Sequence, residues 1–254
     1  MASKFSLPDT SFYRAELARR VALAAEPERE MVDRPPLMRF AAEAAHALDI
    51  LKRPFRTVPV ERAAVPRVVM LLPGFATHPV RMRYMAQQLE RAGHTVKRWG
   101  MGFNWGPTQD RVEQLEQRIV AISERYDDEV VLVGWSLGGL FARDIAHRIP
   151  DRVAKVVTMG SPFSGNPRAN NVWRAYQFVT GHRVDAVPID TKMRIKPPVE
   201  TVAFWSPRDG IISARCARGQ TQERDRAVAL RCTHMGFSSS PECIAAVLAE
   251  LKRS

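Results

Sequence analysis

The stretch Val130-Val-Leu-Val-Gly134-Trp-Ser136-Leu-Gly138-Gly139 decides the fold. Four apolar β-formers run into a Gly-x-Ser-x-Gly pentapeptide, and a helical pattern from Leu140 to Ile149 follows. A serine at the junction of a strand and a helix sits on a sharp turn that exposes its hydroxyl. Side chains in place of the flanking glycines would collide with neighbouring backbone. The following helix offers its positive N-terminal end and a free backbone N–H. The stretch thus reads as a nucleophile with half of an oxyanion hole attached.

A serine hydroxyl needs a general base, and the base needs an orienting acid. Downstream, the β-rich run Thr201 to Trp205 enters a turn carrying Asp209-Gly210, itself a turn signal. Ala227 to Cys232 reads as a short strand that delivers His234 into a loop. Both candidates follow strand ends, where open α/β sheets collect their sites. Taken alone, Asp209 reads equally well as a turn aspartate, and His234 as a satisfied or surface histidine. Serine, acid and base in that chain order, each at a strand end, make the catalytic reading the stronger one. His46, His94, His147 and His182 fall in helical patterns, a strand start or an insertion and are poorer bases. His78 lies near the loop after an earlier strand, Arg67 to Leu72, which ends in Pro73-Gly74-Phe75. Gly74 lets that loop bend toward the serine, so Phe75 N–H and Leu137 N–H are the expected oxyanion donors. One such donor is typically worth roughly 3 kcal/mol of transition-state stabilisation.

With these pieces in place, the chain resembles an α/β-hydrolase of the serine esterase and lipase type over about residues 65 to 252. The match runs through Leu72-Pro-Gly-Phe75, Gly134-Trp-Ser-Leu-Gly-Gly139, Asp209 and His234. It is also similar to bacterial α/β-hydrolases that carry a Gly-Ser-Pro-Phe segment, here Gly160 to Phe163. The resemblance implies Ser136 as nucleophile, His234 as base and Asp209 as orienting acid, with no metal or organic cofactor. Many relatives have His-Gly where this chain has Pro73-Gly74. The implied activity is cleavage of a carboxylic ester through an acyl-enzyme. Acyl transfer or thioester cleavage by the same triad, or a hydrolase fold kept as a non-catalytic binding module, are the alternatives.

Outward from the pentapeptide, strands are expected near 67–72, 94–99, 129–134, 153–159, 200–205 and 227–232. Helices are expected near 79–92, 107–125, 138–149 and 241–252. That alternation predicts an α/β fold with a mostly parallel sheet of about six strands flanked by helices. The segment 58–60 or Val65 is a candidate edge strand. Residues 161–199 are long for a connection and read as a cap insertion, helical from Asn170 to Thr180. Arg168, Arg174, His182 and Arg183 in that insertion are expected to shape the pocket. Expected substrate contacts are Trp135, His78, Phe103, Trp105, Phe163 and Trp173.

Residues 1–60 form an N-terminal helical extension outside the hydrolase domain, 61–254. Ser11 to Ala25 is helix-like. Leu37 to Lys52 is an amphipathic helix whose stripe is Leu37, Phe40, Ala41, Ala44, Ala47, Leu48 and Leu51. The plain expectation is that this stripe packs on the domain. The sharper one, supported by Lys52, Arg53 and Arg56, is contact with an anionic membrane or a partner.

The 254 residues carry a formal net charge of +11. The basic residues are scattered along helices instead of clustering with aromatics, which argues against nucleic acid as a partner. Small-molecule or lipid esters, and peripherally an anionic membrane, are the expected partners. No secretory signal and no 18-residue apolar run is seen, so the expected location is cytoplasmic or peripheral at the membrane. The three cysteines (216, 232 and 243) fit no metal motif. Reduced thiols are expected, with a Cys216–Cys232 bridge the lesser alternative.

Overall fold

The computed structural model describes residues 11–28, 30–48, 58–187, 192 and 194–253, and the side chains of 45–48 are outside that description. Two N-terminal helices, α1 (Ser11–Ala24) and α2 (Leu37–Leu48), precede an alternating βα array. The array runs β1 (Val68–Leu72), α3 (Arg83–Arg91), β2 (Thr95–Arg98), α4 (Gln109–Tyr126), β3 (Val130–Trp135) and α5 (Leu137–Arg148). It continues through β4 (Lys155–Met159), α6 (Trp173–Thr180), β5 (Glu200–Trp205), α7 (Ala214–Arg218), β6 (Arg226–Ala229) and α8 (Pro241–Leu251). The six strands form one parallel sheet in the order β2-β1-β3-β4-β5-β6.

Parallel strands are covered on both faces, which is why β1, β3 and β4 are apolar and buried almost throughout. Alternate residues serve opposite layers. Val69 and Leu71 of β1 and Val131 and Val133 of β3 pack with α3 and α8, through Met85, Leu89, Ile244 and Val247. Val68, Met70 and Leu72 pack with Leu132 on the other face against α4 and α5, through Leu115, Ile119, Phe141 and Ile145.

The expected strands and core helices are all present, with ends moved by a few residues. Two differences have clear causes. Pro79 opens a short 3-10 turn before α3, because proline lacks the N–H that a helix interior needs. The segment 58–60 and Val65 form no strand; Val58 instead buries its side chain under the sheet layer that holds α3 and α8.

The N-terminal helices dock through polar groups. Next to α6, Arg19 donates to Gly181 O at 2.9 Å and Gln177 donates to Leu23 O at 2.6 Å. Arg174 donates to Ala24 O and Glu26 O at 2.6 and 2.8 Å, and Arg168 pairs with Glu26 at 2.7 Å. Arg168 and Arg174 therefore hold the N-terminal segment, where the sequence suggested that they shape the pocket.

The expected packing of α2 through its apolar stripe is also corrected. Leu37 is 75% exposed, and Phe40, Ala41 and Ala44 also face solvent. Among the described side chains of this helix, the buried one is Glu43. The stripe is rich in alanine and offers little area to bury, whereas a carboxylate aimed at several free N–H groups gains charge-assisted hydrogen bonds. Ala47, Leu48, Leu51 and His46, and the basic flank Lys52, Arg53 and Arg56, lie outside the described side chains.

Candidate functional site

The turn after β3 is the site's centre. Ser136 has φ 54° and ψ −121°, a conformation that costs a non-glycine residue about 1–3 kcal/mol. Close packing around the turn enforces it. A Cβ on Gly138 would stand 2.3 Å from Leu72 O, and one on Gly134 would stand 2.4 Å from Gly138 O. Side chains are thus excluded at both positions, and α5 begins directly against the ends of β1 and β3. Ser136 N–H donates to Met159 O at 2.8 Å, fixing the turn to β4.

Asp209 and His234 meet across the loops that follow β5 and β6. His234 Nδ1 lies 2.8 Å from Asp209 Oδ2, and both side chains are buried. The other carboxylate oxygen, Oδ1, accepts from Ile211 N–H and Ile212 N–H, each at 2.8 Å. The two bonds to Oδ1 orient the carboxylate and leave Oδ2 for the imidazole. Burial pushes the His234 pKa down, but the charge and hydrogen bond of Asp209, with the charge of Glu43 added, outweigh it and raise it above the ordinary value.

Further bonds hold these loops in register. Trp135 Nε1 donates to His234 O at 3.0 Å, joining the histidine loop to the residue beside Ser136. Ser206 Oγ donates to Cys232 O at 2.6 Å, joining the aspartate loop to the histidine loop. Trp135 is thus a buried brace with its indole packed near the imidazole, not a wall of the cavity.

The candidate oxyanion loop follows β1. A Cβ on Gly74 would touch Ser136 Cβ at 3.3 Å, so the loop passes close over the serine. Among the described residues, neither Phe75 N–H nor Leu137 N–H donates to another group of the protein. Asn104, fully buried, holds the loop: its side-chain amide donates to Pro73 O at 2.8 Å, its backbone carbonyl accepts from Ala76 N–H at 2.7 Å, and its N–H donates to Thr77 O at 3.1 Å.

Ser136, Phe75 and Leu137 open onto a cavity of about 400 Å³. Phe163, Trp173 and Tyr176 of the 161–199 insertion form part of its wall, and Lys192 and Arg194 line it as well. The Tyr176 ring packs at a tilt against Phe75 with centroids 5.1 Å apart, and its buried hydroxyl finds no partner among the described residues. Burial accordingly raises the phenol pKa. Arg143 supports Phe163 from below at 4.3 Å. Three guanidiniums, of Arg174, Arg168 and Arg34, surround the Trp173 ring at 4.2, 4.9 and 5.7 Å.

Of the expected substrate contacts, Phe163 and Trp173 line the cavity, while His78, Phe103 and Trp105 do not. Phe103 stacks on Trp105, with centroids 5.3 Å apart, and His78 packs on Phe103; both aromatics are about half exposed. In the 101–107 loop the polar Asn104, not the aromatics, serves the site. Sequence reasoning missed Asn104, Tyr176 and Glu43. Asn104 could have been sought as a buried amide between glycines; Glu43 carries no local signal. Cys216, Cys232 and Cys243 are buried and free. Among the described residues no cluster of His, Cys, Asp and Glu is arranged to hold a metal ion, and no helix is long and apolar enough to cross a membrane.

The sheet order, the serine turn and the strand-end loops define the α/β-hydrolase fold. A model described as the α/β-hydrolase fold matches residues 67–187, and the chain has that fold. Two curated relatives are similar to it, both pimeloyl-[acyl-carrier protein] methyl ester esterases. That of Vibrio parahaemolyticus is 36% identical over 84 residues, covering 33% of this chain and 31% of the relative. That of Aromatoleum aromaticum is 43% identical over 56 residues, covering 22% of each. The chain thus matches less than a third of the length of either relative. Among solved structures, a metagenome-derived lipolytic enzyme aligns with a TM-score of 0.56 at 16% identity, covering 78% of this chain and 100% of that one. Polyneuridine aldehyde esterase aligns with a TM-score of 0.53 at 14% identity, covering 74% and 99%. At such identities these likenesses speak for the fold.

Proposed function

We propose that the protein is a serine hydrolase that cleaves carboxylic esters through an acyl-enzyme. The observation that carries the reading is the buried 2.8 Å Asp209–His234 pair, tied through Trp135 to the strained turn that presents Ser136 to the cavity. Ser136 Oγ attacks the ester carbonyl while His234 Nε2 takes its proton. Asp209 fixes the imidazole with Nδ1–H toward Oδ2 and stabilises the imidazolium that forms. Phe75 N–H and Leu137 N–H, free of other partners, donate to the oxyanion. Collapse expels the alcohol, which takes the proton from His234. Water, activated by the same imidazole, then releases the acid.

The substrate class is a small-molecule ester whose acyl part enters the aromatic-lined cavity, in keeping with the relatives named for methyl ester hydrolysis. The free Tyr176 hydroxyl offers a hydrogen bond to a substrate oxygen there. Residues 61–254 form the hydrolase domain, 161–199 its cap and 1–60 an extension. A cytoplasmic protein with peripheral membrane contact fits the charge of +11.

The test pairs a fluorophosphonate probe with a series of p-nitrophenyl esters of increasing acyl length. Wild type is expected to label and turn over. Ser136→Ala is expected to lose labelling and about 10⁴-fold or more in kcat/KM while remaining folded. A well-folded wild type that neither labels nor turns over any ester would leave the fold as a binding module.

A further inference from the structure

Glu43 stands outside the region matched by the hydrolase family, on α2, yet its carboxylate reaches the heart of the site. Its Oε1 accepts from Gly210 N–H at 2.9 Å and from His234 N–H at 2.7 Å. Its Oε2 accepts from Met235 N–H at 2.9 Å. One side chain therefore bridges the residue after Asp209 and the backbone of His234 itself, and it is only 6% exposed. Three N–H donors thus converge on its two carboxylate oxygens.

The backbone is shaped for this contact. A Cβ on Gly210 would lie 2.3 Å from Arg39 O and 2.7 Å from Phe40 N, so only glycine lets α2 come down onto the aspartate loop. The helix also rests on the Met235–Ser238 turn that follows His234.

We propose that Glu43 is a positioning residue of the active site: by clamping the Asp209 and His234 loops together it sets the imidazole's place and charge, making α2 a structural part of the catalytic unit. The inference rests on the serine hydrolase reading for its kinetic consequences. The hold on the imidazole does not depend on that reading.

Two carboxylates act on His234: Asp209, from the loop after β5, bonds its Nδ1, and Glu43, from α2, accepts from its backbone N–H. The indole of Trp135 and the ring of Phe237 complete its surroundings without charge. Cys232, two residues upstream, faces Asp209 and Glu242, and burial raises its thiol so that it is neutral. Glu43 favours the imidazolium, the form His234 takes as Ser136 attacks the carbonyl and the oxyanion develops.

Glu43→Gln separates this role from a purely structural one, because the amide keeps an oxygen for Gly210 and His234 and loses the charge. Two readouts are taken on the full chain with its melting temperature as control: the kinetic pH profile on p-nitrophenyl esters, and the His234 imidazole titration by NMR. Glu43→Gln is expected to stay folded, to lose about 10- to 100-fold in kcat with little change in KM, and to move both the acid limb and the imidazole midpoint to lower pH. Glu43→Ala is expected to lose more kcat. A folded Glu43→Gln with wild-type kcat and a superimposable imidazole titration overturns the proposal. Loss of the fold in both variants also overturns it, by assigning Glu43 to stability alone. If wild type turns over no ester, the hydrolase reading fails by itself, and the NMR titration still decides whether Glu43 governs His234.

Discussion

The β3–α5 turn and the α2 helix reach the same few cubic ångströms of the molecule by opposite means. At the turn, backbone meets backbone: glycines 134 and 138 admit no side chain, and Ser136 is held in a positive-φ conformation by the packing of β1, β3 and α5. At α2, a side chain meets backbone: Glu43 satisfies three N–H groups while Leu37, Phe40, Ala41 and Ala44 face water. The first device is built into the sheet and cannot be loosened without unfolding it. The second depends on one carboxylate and is open to adjustment. A site can thus take its rigidity from the fold and its fine alignment from a segment outside residues 67–187, the part that the α/β-hydrolase model matches.

Asn104→Ala gives the largest further effect, because it attacks the rigid side of this contrast. It removes the amide that holds Pro73 O and leaves that buried carbonyl unpaired. A loss of about 100-fold in kcat, through a displaced Phe75 N–H, is expected, with about 1–3 kcal/mol of stability. Urea unfolding together with ester kinetics measures both. Unchanged kcat would show that the oxyanion loop holds its shape without Asn104.

The pH dependence reports on both regions at once. Since His234 stands above its ordinary 6.5, its neutral, basic form prevails only at higher pH, and the acid limb of kcat/KM is expected above that value. The same upward shift stabilises the folded protein fully below the unfolded pKa. That contribution is lost as pH rises through the folded value. Melting curves of wild type and His234→Gln should therefore converge as the pH is raised above 6.5. A gap that widens with pH would contradict the raised imidazole.

Arg19→Ala is the mildest probe and tests whether α1 matters to the site as α2 does. Arg19 is half exposed, pairs with Glu16 and donates to Gly181 O. Its loss is expected to leave the melting temperature close to that of wild type and kcat unchanged. A large drop in kcat would extend the site's support to the whole N-terminal segment.

The catalytic candidates were legible because their signals are local. Gly-x-Ser-x-Gly after Val130–Val133 states a turn in ten residues, and Asp209 and His234 each follow a short β-rich run. Trp135 misled because an aromatic beside a nucleophile suggests a pocket wall; its indole N–H instead found His234 O, 99 residues away. Phe103 and Trp105 misled in the same way, while Asn104 between them was passed over.

The sequence by itself determined the parallel sheet, the serine turn and the order of the candidate triad, since periodicity, glycine placement and strand-end loops are properties of short segments. Only the tertiary structure decided which side of α2 is buried, which arginines clamp the N-terminal helices and which residues wall the cavity. Those outcomes depend on backbone N–H and carbonyl groups brought together from distant parts of the chain. Every residue carries such groups, so the amino-acid pattern gives no sign of where a carboxylate like that of Glu43 will find them.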